Sequence, residues 1–409
     1  MKQVTCSSTG GSDVKEFKRL TPYREALKLL LDDLSEIEET EELPLNEALG
    51  RVLAEDIASP IDSPPFDRSA VDGYAVRAED TFPAREYRPV ELKVIDEITA
   101  GEESRAKVEP GTAVKLMTGA KMPEGANAVI MQEMAEREGD VIRVLRPVAP
   151  GQNVSFAGED VKKGEAVLKK GQVLRPQDLA LLKSLGFKTV KVKRKPRVGI
   201  IVTGDELIEE FDEEALKQGK ILESNSVMLT GLVRQYFGEP VFYGVVPDDE
   251  NAIREAIERA RAENDLVLVT GGSAFGDKDF AHRFVRLLFH GTTIKPGRPI
   301  GYGERVFIMS GYPSAVFTQF HLYVKHALAK LVGVKNYEVK VRAKLTERVP
   351  SQLGRHEFVK VWYENGEARP IRKKGSGIIS SLVESNGYIV IPEDSEGHLE
   401  GETVEVVLY

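Results

Sequence analysis

The feature of the sequence that most constrains the fold is an alternation of apolar strands and helical patterns between about residues 197 and 333. Short apolar runs such as RVGIIVTG and DLVLVTGG end in glycine, which is typical of buried strands. Amphipathic segments such as DENAIREAIERARAE lie between them and predict helices. This order favours a largely parallel sheet with helices on both faces. We predict strands at 197–204, 241–247, 265–272 and 305–311, and helices at 224–237, 249–263, 278–289 and 313–332.

The flanking segments have a different character. Thr21 and Pro22 resemble the start of an amphipathic helix with Thr21 as N-cap, and LNEALGRVLAED predicts a second short helix at 45–56. Glycine-punctuated strands follow from residue 150, then a helix at 176–186. Short alternating runs fill 57–146, and strands after residue 335 are spaced as in a small barrel. The predicted fold class is therefore multidomain α/β plus β, with a composite N-terminal domain (17–56 and 147–190), a β-rich module (57–146), a central α/β domain (191–334) and a C-terminal β-barrel (335–409).

Composition narrows the classes of function. A formal net charge of −9 over 409 residues disfavours nucleic acid, whose backbone requires a basic surface. The single cysteine, Cys6, has no internal disulfide partner, which suits a reducing compartment. We find neither the apolar core of a signal peptide nor a long uncharged apolar stretch. We therefore expect a soluble cytoplasmic protein with no nucleic-acid or membrane partner.

Glycine and acidic residues follow two of the predicted strands, in VTGDEL (202–207) and VTGGSAFGDKDF (269–280). Ligands bind at the carboxyl ends of strands in open α/β folds, where glycine lets backbone amides approach a phosphate. Each loop alone is better explained as a tight turn with a helix cap, but two on one sheet favour a ligand site. Acids beside a phosphate require a cation such as Mg²⁺. The candidate acids are Asp72, Asp160, Glu206, Asp248, Asp249 and Asp279, of which Asp248 and Asp249 also fit a helix cap.

A basic counterpart lies in IKPGRPIGYG, where Lys295 and Arg298 flank a Pro-Gly turn and have the chemistry to grip an oxyanion. Isolated basic residues in loops are usually only solvated. His321 and His326 are five residues apart on a predicted helix, which favours structural roles over a zinc site. Neither a G-x-S-x-G nucleophile elbow nor a P-loop lysine is present, so serine hydrolases and Walker ATPases are disfavoured.

Motifs along nearly the whole chain resemble the molybdopterin molybdenumtransferases, the MoeA and gephyrin E-domain family. These motifs, in the family's order, are FDRSAVDGYAV, MTGAKMPEGANAVI, GQNVSFAGEDV, VTGDEL, DLVLVTGGSAFGDKDF, IKPGRP and GSGIISSL. The resemblance implies an elongated, L-shaped subunit of four domains and a homodimer with each cleft shared between subunits. It also implies insertion of molybdate or tungstate into adenylylated molybdopterin, release of AMP, and transient contact with the molybdopterin adenylyltransferase.

The resemblance also assigns site residues. The acids of the cleft would be Asp72, Asp160, Glu206, Asp248 and Asp279, with Mg²⁺ held among them. Because Glu206 and Asp279 follow apolar strands that should end side by side, we expect these two to be its chief ligands. Lys295, Arg298, Ser376 and Arg355 would donate to the metal oxyanion. The remaining residues matched to the binding of molybdopterin are Thr118, Gly204, Gly271, Gly272, Ser273 and Gly276.

Three positions depart from the family pattern. Residues 310–317 read SGYPSAVF without the usual Gly-Asn-Pro, Ala274 stands where the family has serine, and Arg298 stands where lysine is common. Two other functions stay open from the sequence. A related α/β domain occurs in the molybdopterin adenylyltransferase, and gephyrin acts as a binding scaffold. The Asp72 motif and β-rich modules disfavour the first, and the acid cluster, with no long linker or appended domain, disfavours the second.

Overall fold

The computed structural model describes residues 20–271, 281–335, 337–372, 375 and 377–409. The chain divides into two compact units. The first unit comprises the chain up to Glu41 together with Lys193–Tyr409, and the second comprises Glu42–Val192. Among the described residues, the structure has no helix with the length and apolar character needed to span a membrane.

A six-stranded sheet forms the centre of the first unit. The four strands predicted from the apolar runs lie side by side and parallel, and two short strands extend the sheet in antiparallel orientation. All but the first residue of Arg197–Thr203 are buried, because parallel strands are covered on both faces. In spatial order the strands are Glu239–Val246, Arg197–Thr203, Leu266–Thr270, Val306–Met309, Gly301–Gly303 and Phe289–His290.

Helices cover both faces of this sheet. Leu229 and Val233 of one helix share a core with Val198, while Ile253 and Ile257 of the next share another core with Ile201. Since Val198 and Ile201 are an odd number of residues apart, they point to opposite faces of their strand. The helical segments are Tyr23–Asp33, Glu213–Lys217, Asn225–Gln235, Glu250–Glu263, Pro313–Gln319, the π-helical Phe320–Val324, and Lys325–Val332, with a 3₁₀ turn at Ala281–Arg283 and a short parallel pair of strands at Leu207–Ile208 and Ile221–Leu222.

The C-terminal part of the first unit is a closed barrel. Five strands pair in a ring, because His356–Glu364 contacts both Glu367–Pro370 and Gly387–Ile391. Ile294–Lys295 joins this barrel by pairing in parallel with His356 and Glu357. The elements of this region are Val339–Leu345, Val349–Pro350, His356–Glu364, Glu367–Pro370, the helix Ser380–Val383, Gly387–Ile391, Gly397–His398 and Thr403–Leu408.

The second unit is built on a separate six-stranded mixed sheet, whose apolar core includes Tyr74, Leu92 and Ile130. Its strands, in spatial order, are Ala128–Met131, Gly73–Val76, Thr112–Leu116, Val90–Ile98, Val141–Val144 and Ala135–Glu138. The other elements are helices Ala78–Thr81 and Pro176–Ser184, 3₁₀ turns Leu45–Glu47 and Gln132–Met134, and the strand pairs Thr40–Pro44 with Thr189–Lys193, Ile57–Ala58 with Ala166–Leu168, and Arg68–Ser69 with Val154–Ser155.

The predicted fold class, a mostly parallel α/β domain with a β-rich module, a composite region and a C-terminal barrel, is confirmed. Three local predictions are wrong. The helix expected at 45–56 is only the 3₁₀ turn Leu45–Glu47, because Gly50 has a φ of +71° and the chain then extends. In place of the helix at 278–289, the described part holds a 3₁₀ turn and the strand Phe289–His290. Thr21 does not cap the first helix; Pro22 occupies the N-cap and the backbone of Thr21 pairs with Gly291 and Thr293.

Candidate functional site

The carboxyl end of the strand Arg197–Thr203 is shaped by Gly204. This residue is buried and has a φ of +153°. A Cβ atom at this position would lie 2.8 Å from Oε1 of Glu206. Glycine therefore lets the exposed Glu206 fold its carboxylate back against the end of the strand.

A second glycine brings the neighbouring strand end into contact with the first. Gly271 follows Leu266–Thr270 with a φ of +91°, and a Cβ there would lie 2.6 Å from the carbonyl oxygen of Thr203. Gly311, which follows the strand Val306–Met309, lies beside Gly271, since a Cβ there would be 3.9 Å from the Gly271 Cα. Its carbonyl accepts from Nδ2 of Asn225 at 2.7 Å. The loops that begin at Gly204, Gly271 and Gly311 thus meet at the carboxyl edge of the sheet, where the sequence predicted a ligand site.

Asp248 and Asp249 have different roles. Asp249 caps the helix Glu250–Glu263, since its Oδ1 accepts from the amides of Asn251 and Ala252. Asp248 instead belongs to the strand edge: its amide donates to Oδ1 of Asp205 at 3.0 Å, and the Asp205 amide donates to Oδ2 of Asp248 at 3.5 Å. Asp205 was missed as a site residue, although its position directly after Gly204 was the available signal.

A cavity of about 900 Å³ opens beside this edge. Five of its lining residues are acidic, and Glu206 and Asp248 lie outside its lining. Its walls are formed by Gly204, Asp205, Leu207, Ile208, Glu209, Glu210, Phe211, Asp212, Glu213, Val245 and Pro247. Within the described ranges, no three His, Cys, Asp or Glu side chains converge as a metal site. The described acids therefore do not form a complete Mg²⁺ site by themselves.

A second cavity, of about 360 Å³, lies where the Pro-Gly turn meets the barrel, and we call it the arginine pocket. Lys295, Arg298 and Arg355 line it. Burial first, and the positive charge of Arg298 on the same cavity wall second, lower the pKa of Arg355. Neither arginine forms an ion pair with any residue that the structure describes. Two adjacent, uncompensated arginines favour a bound anion.

The turn that carries Arg298 is fixed by a buried glutamine. Gln319 donates from Nε2 to the carbonyl oxygen of Gly297 at 2.8 Å, and Gly297 has a φ of +100°. A Cβ at Gly297 would lie 2.9 Å from Cγ of Gln319. The close packing therefore requires glycine and holds the wall of the arginine pocket in place.

Lys295 differs from the arginines because it has an acidic neighbour. Its Nζ lies 3.1 Å from Oε1 of Glu357. The parallel pairing of Ile294–Lys295 with the barrel strand puts these two residues in register. Sequence alone gave no sign of this ion pair, because Glu357 lies 62 positions further along the chain.

In the second unit, the structure brings together Asp72 and Thr118. Oδ1 of Asp72 accepts from both the amide and the hydroxyl of Thr118, each at 2.7 Å. These hydrogen bonds, the hydroxyl first, lower the pKa of the exposed Asp72 carboxyl. Thr118 therefore supports the charged form of Asp72, in addition to any contact with a ligand.

Asp160 lies on an exposed loop of the same unit, and its amide donates to the carbonyl of Ser63 at 3.0 Å. Its carboxylate makes no hydrogen bond to Asp72 or Thr118. Asp67 was not selected from the sequence. Its Oδ1 accepts from the amide of Ala157 at 2.8 Å and so joins the loop before Asp72 to the loop before Asp160. The predicted residues Gly272, Ser273, Gly276, Asp279 and Ser376 lie outside the described residues.

A parallel sheet with glycine-bordered acids at its carboxyl edge, joined to a small barrel, defines a multidomain α/β ligand-binding protein. Comparison with family profiles is more specific. Residues 21–186 match the MoeA N-terminal region (domain I and II), 199–330 match a domain described as "Probable molybdopterin binding domain", and 342–409 match the MoeA C-terminal region (domain IV). The chain belongs to the MoeA family and, with its enzymes, to the transferases.

Individual relatives agree with this assignment. A Methanocaldococcus jannaschii protein named for molybdopterin biosynthesis is 42% identical, over 97% of this chain and 100% of its own. The molybdopterin molybdenumtransferase of Bacillus subtilis is 36% identical over 90% of each chain. A crystal structure of the molybdopterin biosynthesis moeA protein from Pyrococcus horikoshii is 65% identical, covers 96% of this chain and 100% of its own, and superposes with a TM-score of 0.90.

Proposed function

We propose that the protein inserts molybdate or tungstate into adenylylated molybdopterin and releases AMP. The observation that carries this proposal is the arginine pocket, where Arg298 and Arg355 line one cavity without an ion-pair partner among the described residues. A dianion between them would offset their mutual repulsion and receive charge-assisted hydrogen bonds. Lys295, and Ser376 by resemblance, complete the proposed set of donors.

The second anion would bind at the acidic strand edge. Gly204 and Gly271 have no side chains to obstruct this edge, which suits close approach by the phosphate groups of the adenylylated pterin. Glu206 and Asp248, together with Asp279, are the proposed acids of this site, and Gly272, Ser273 and Gly276 the proposed backbone contacts. Because the two anion sites use different elements of the first unit, the oxyanion and the nucleotide have separate binding residues.

The chemistry asks the protein mainly to position its substrates. Two metal–sulfur bonds form as the dithiolene replaces one oxo group, which leaves with the two thiol protons as water, so no redox step is needed. Water cleaves the phosphoanhydride to AMP and the pterin phosphate. Mg²⁺ would neutralise the substrate phosphates with Glu206 and Asp279 as protein ligands. Since the described acids do not form a metal site, we derive no step from the ion.

The proposal includes the assembly. Asp72, with Thr118 holding it in the charged form, and Asp160 belong to the second unit and would reach the cleft of the partner in a homodimer. The four-domain division with boundaries at 57, 147, 191 and 335, a cytoplasmic location, and transient contact with the adenylyltransferase are further parts of the same proposal. They are supported by membership of the MoeA family.

Arg298→Ala tests the proposal. Loss of one charge-assisted contact costs about 1.5–3 kcal/mol, so the molybdate concentration for half-maximal insertion should rise by one to two decades. Affinity for adenylylated molybdopterin should change little. Arg234→Ala, an exposed arginine outside both cavities, is the matched control and should leave both constants unchanged. The assignment fails if pterin affinity collapses while the molybdate dependence stays constant.

A further inference from the structure

Gln319 is a fully buried polar residue of the first unit, and the proposed reaction gives it no part. It is the last residue of the helix Pro313–Gln319, most of whose residues are buried. Glutamine is seldom buried completely, because its amide group then loses its hydrogen bonds to water and needs protein groups to replace them. The hydrogen-bond partners of Gln319 therefore show what its amide group does.

The amide nitrogen of Gln319 holds the backbone on both sides of Arg298. Nε2 donates to the carbonyl oxygen of Gly297 at 2.8 Å and to that of Pro299 at 3.3 Å. These two residues are the immediate neighbours of Arg298 in the chain. Because Pro296 and Pro299 have no backbone N–H, the turn has few donors of its own. A donor from outside the turn therefore fixes the backbone on either side of Arg298.

The amide oxygen of Gln319 contacts a different element. Oε1 accepts from the backbone amide of Ser310 at 3.0 Å. Ser310 directly follows the strand Val306–Met309 and leads into the loop at Gly311. That loop has a support of its own, because the Gly311 carbonyl accepts from Nδ2 of Asn225. Gln319 is thus a bridge between this loop and the turn that carries Arg298.

Gln319 lies behind the wall of the arginine pocket. The residues whose backbone it contacts all line the cavity, and these are Gly297, Pro299 and Ser310. Gln319 itself does not line the cavity. Both N–H groups of its amide are directed at carbonyl oxygens, so it has no donor left for a ligand. Gln319 can therefore act on a bound anion only through the residues of the wall.

We propose that Gln319 is a positioning residue for the metal oxyanion: it fixes the backbone of Arg298 relative to the loop at Ser310 and so places the guanidinium group for oxyanion binding. This inference rests on the proposed function, in which Arg298 binds molybdate. A guanidinium group presents its N–H donors in a planar fork, so its contacts with an oxyanion depend on geometry. A backbone shift of about 1 Å would weaken these contacts without removing any charge.

Calorimetric titration of the full-length protein with sodium molybdate, and separately with AMP, tests the inference. Gln319→Met fills a similar space but removes all three hydrogen bonds, so the dissociation constant for molybdate should rise by about tenfold. The dissociation constant for AMP should change little, because Asn225 still holds the loop at the strand edge.

A second variant and a matched control accompany this titration. Gln319→Asn keeps an amide group in the buried site but is one methylene shorter, so it cannot bridge both elements and should also weaken molybdate binding. Thr318→Val is the control. Thr318 is buried in the same helix, and its hydroxyl donates to the carbonyl of Ser314 at 3.0 Å, outside the arginine pocket. This variant should bind both ligands as the unmodified chain does.

The double variant Arg298→Ala/Gln319→Met shows whether Gln319 acts through Arg298. If it does, the double variant should bind molybdate no more weakly than Arg298→Ala, because the group to be positioned is already absent. Losses that multiply in the double variant, or an equal loss of AMP affinity in Gln319→Met, would mean that Gln319 has only a general structural role.

The same titrations separate this inference from the proposed function. Weaker molybdate binding in Arg298→Ala, with unchanged binding in both Gln319→Met and Gln319→Asn, overturns the positioning role and leaves the proposed function in place. Unchanged molybdate binding in Arg298→Ala contradicts the proposed function itself, and the positioning role is then rejected with it.

Discussion

Three histidines, of which His321 and His356 are buried and His326 is half-buried, should make the first unit unstable in mild acid. Burial first, and the charge of Lys325 second, lower the pKa of His326 to about 4. Burial also lowers the pKa of His356, which stacks on Tyr23 at 3.9 Å, to about 4. His321 is fully buried, and both of its ring nitrogens lack a hydrogen-bond partner among the described residues, so its pKa falls well below the ordinary value. All three therefore stay neutral in the folded chain at pH 5.

The sign of the effect follows from proton linkage. The unfolded chain protonates these rings below about pH 6.5, whereas the folded chain does not, so stability falls as the pH decreases. For a folded pKa near 4, the loss between pH 7 and pH 5 is about 2 kcal/mol per histidine. His326 and His356 together should remove roughly 4 kcal/mol, and His321 adds to the loss. Carboxylates remain ionised over most of this range and contribute little to the slope.

Urea unfolding at pH 7 and pH 5 measures this loss with an internal control. The chain has one tryptophan, Trp362, which reports on the first unit. The second unit, Glu42–Val192, contains no histidine, so its own unfolding free energy should show a much smaller pH dependence. His356→Phe keeps the ring stacked on Tyr23 and should recover about 2 kcal/mol at pH 5. Equal unfolding free energies at the two pH values would refute the reasoning. Imidazole NMR signals of His321, His326 and His356 that titrate near pH 6.5 would refute it as well.

Two further predictions concern the strand edge and the second unit. Gly271→Ala should destabilise the first unit by more than Gly219→Ala, since both have φ near +90° but only the Cβ at 271 would meet the Thr203 carbonyl. The backbone strain alone costs about 1–2 kcal/mol, and equal losses in Trp362-monitored unfolding would contradict the predicted clash. Thr118→Val removes one of the two hydrogen bonds that lower the pKa of Asp72, so this pKa should rise toward its ordinary value in a carboxyl NMR titration. An unchanged titration of Asp72 would mean that the Thr118 hydroxyl is not its donor.

The parts of the fold that sequence predicted correctly are those whose pattern is local. Arg197–Thr203 and Leu266–Thr270 are continuous apolar runs because both faces of a parallel sheet are covered. The incorrect helix at 45–56 has the opposite origin. Val52 and Leu53 form backbone bridges to Val173 and Val192, more than 100 positions away, and this pairing overrides a weak helical period.

The same distinction applies to the site. Gly204 and Gly271 were recognisable because each directly follows an apolar strand, but Glu357 acquires its role only when the barrel strand His356–Glu364 pairs with Ile294–Lys295. That pairing changes which basic residue best reports on oxyanion binding. Part of the charge of Lys295 is compensated by Glu357, whereas Arg298 and Arg355 have no such partner among the described residues. Arg298 therefore gives a cleaner test of oxyanion binding than Lys295, whose replacement would also remove the ion-pair partner of Glu357.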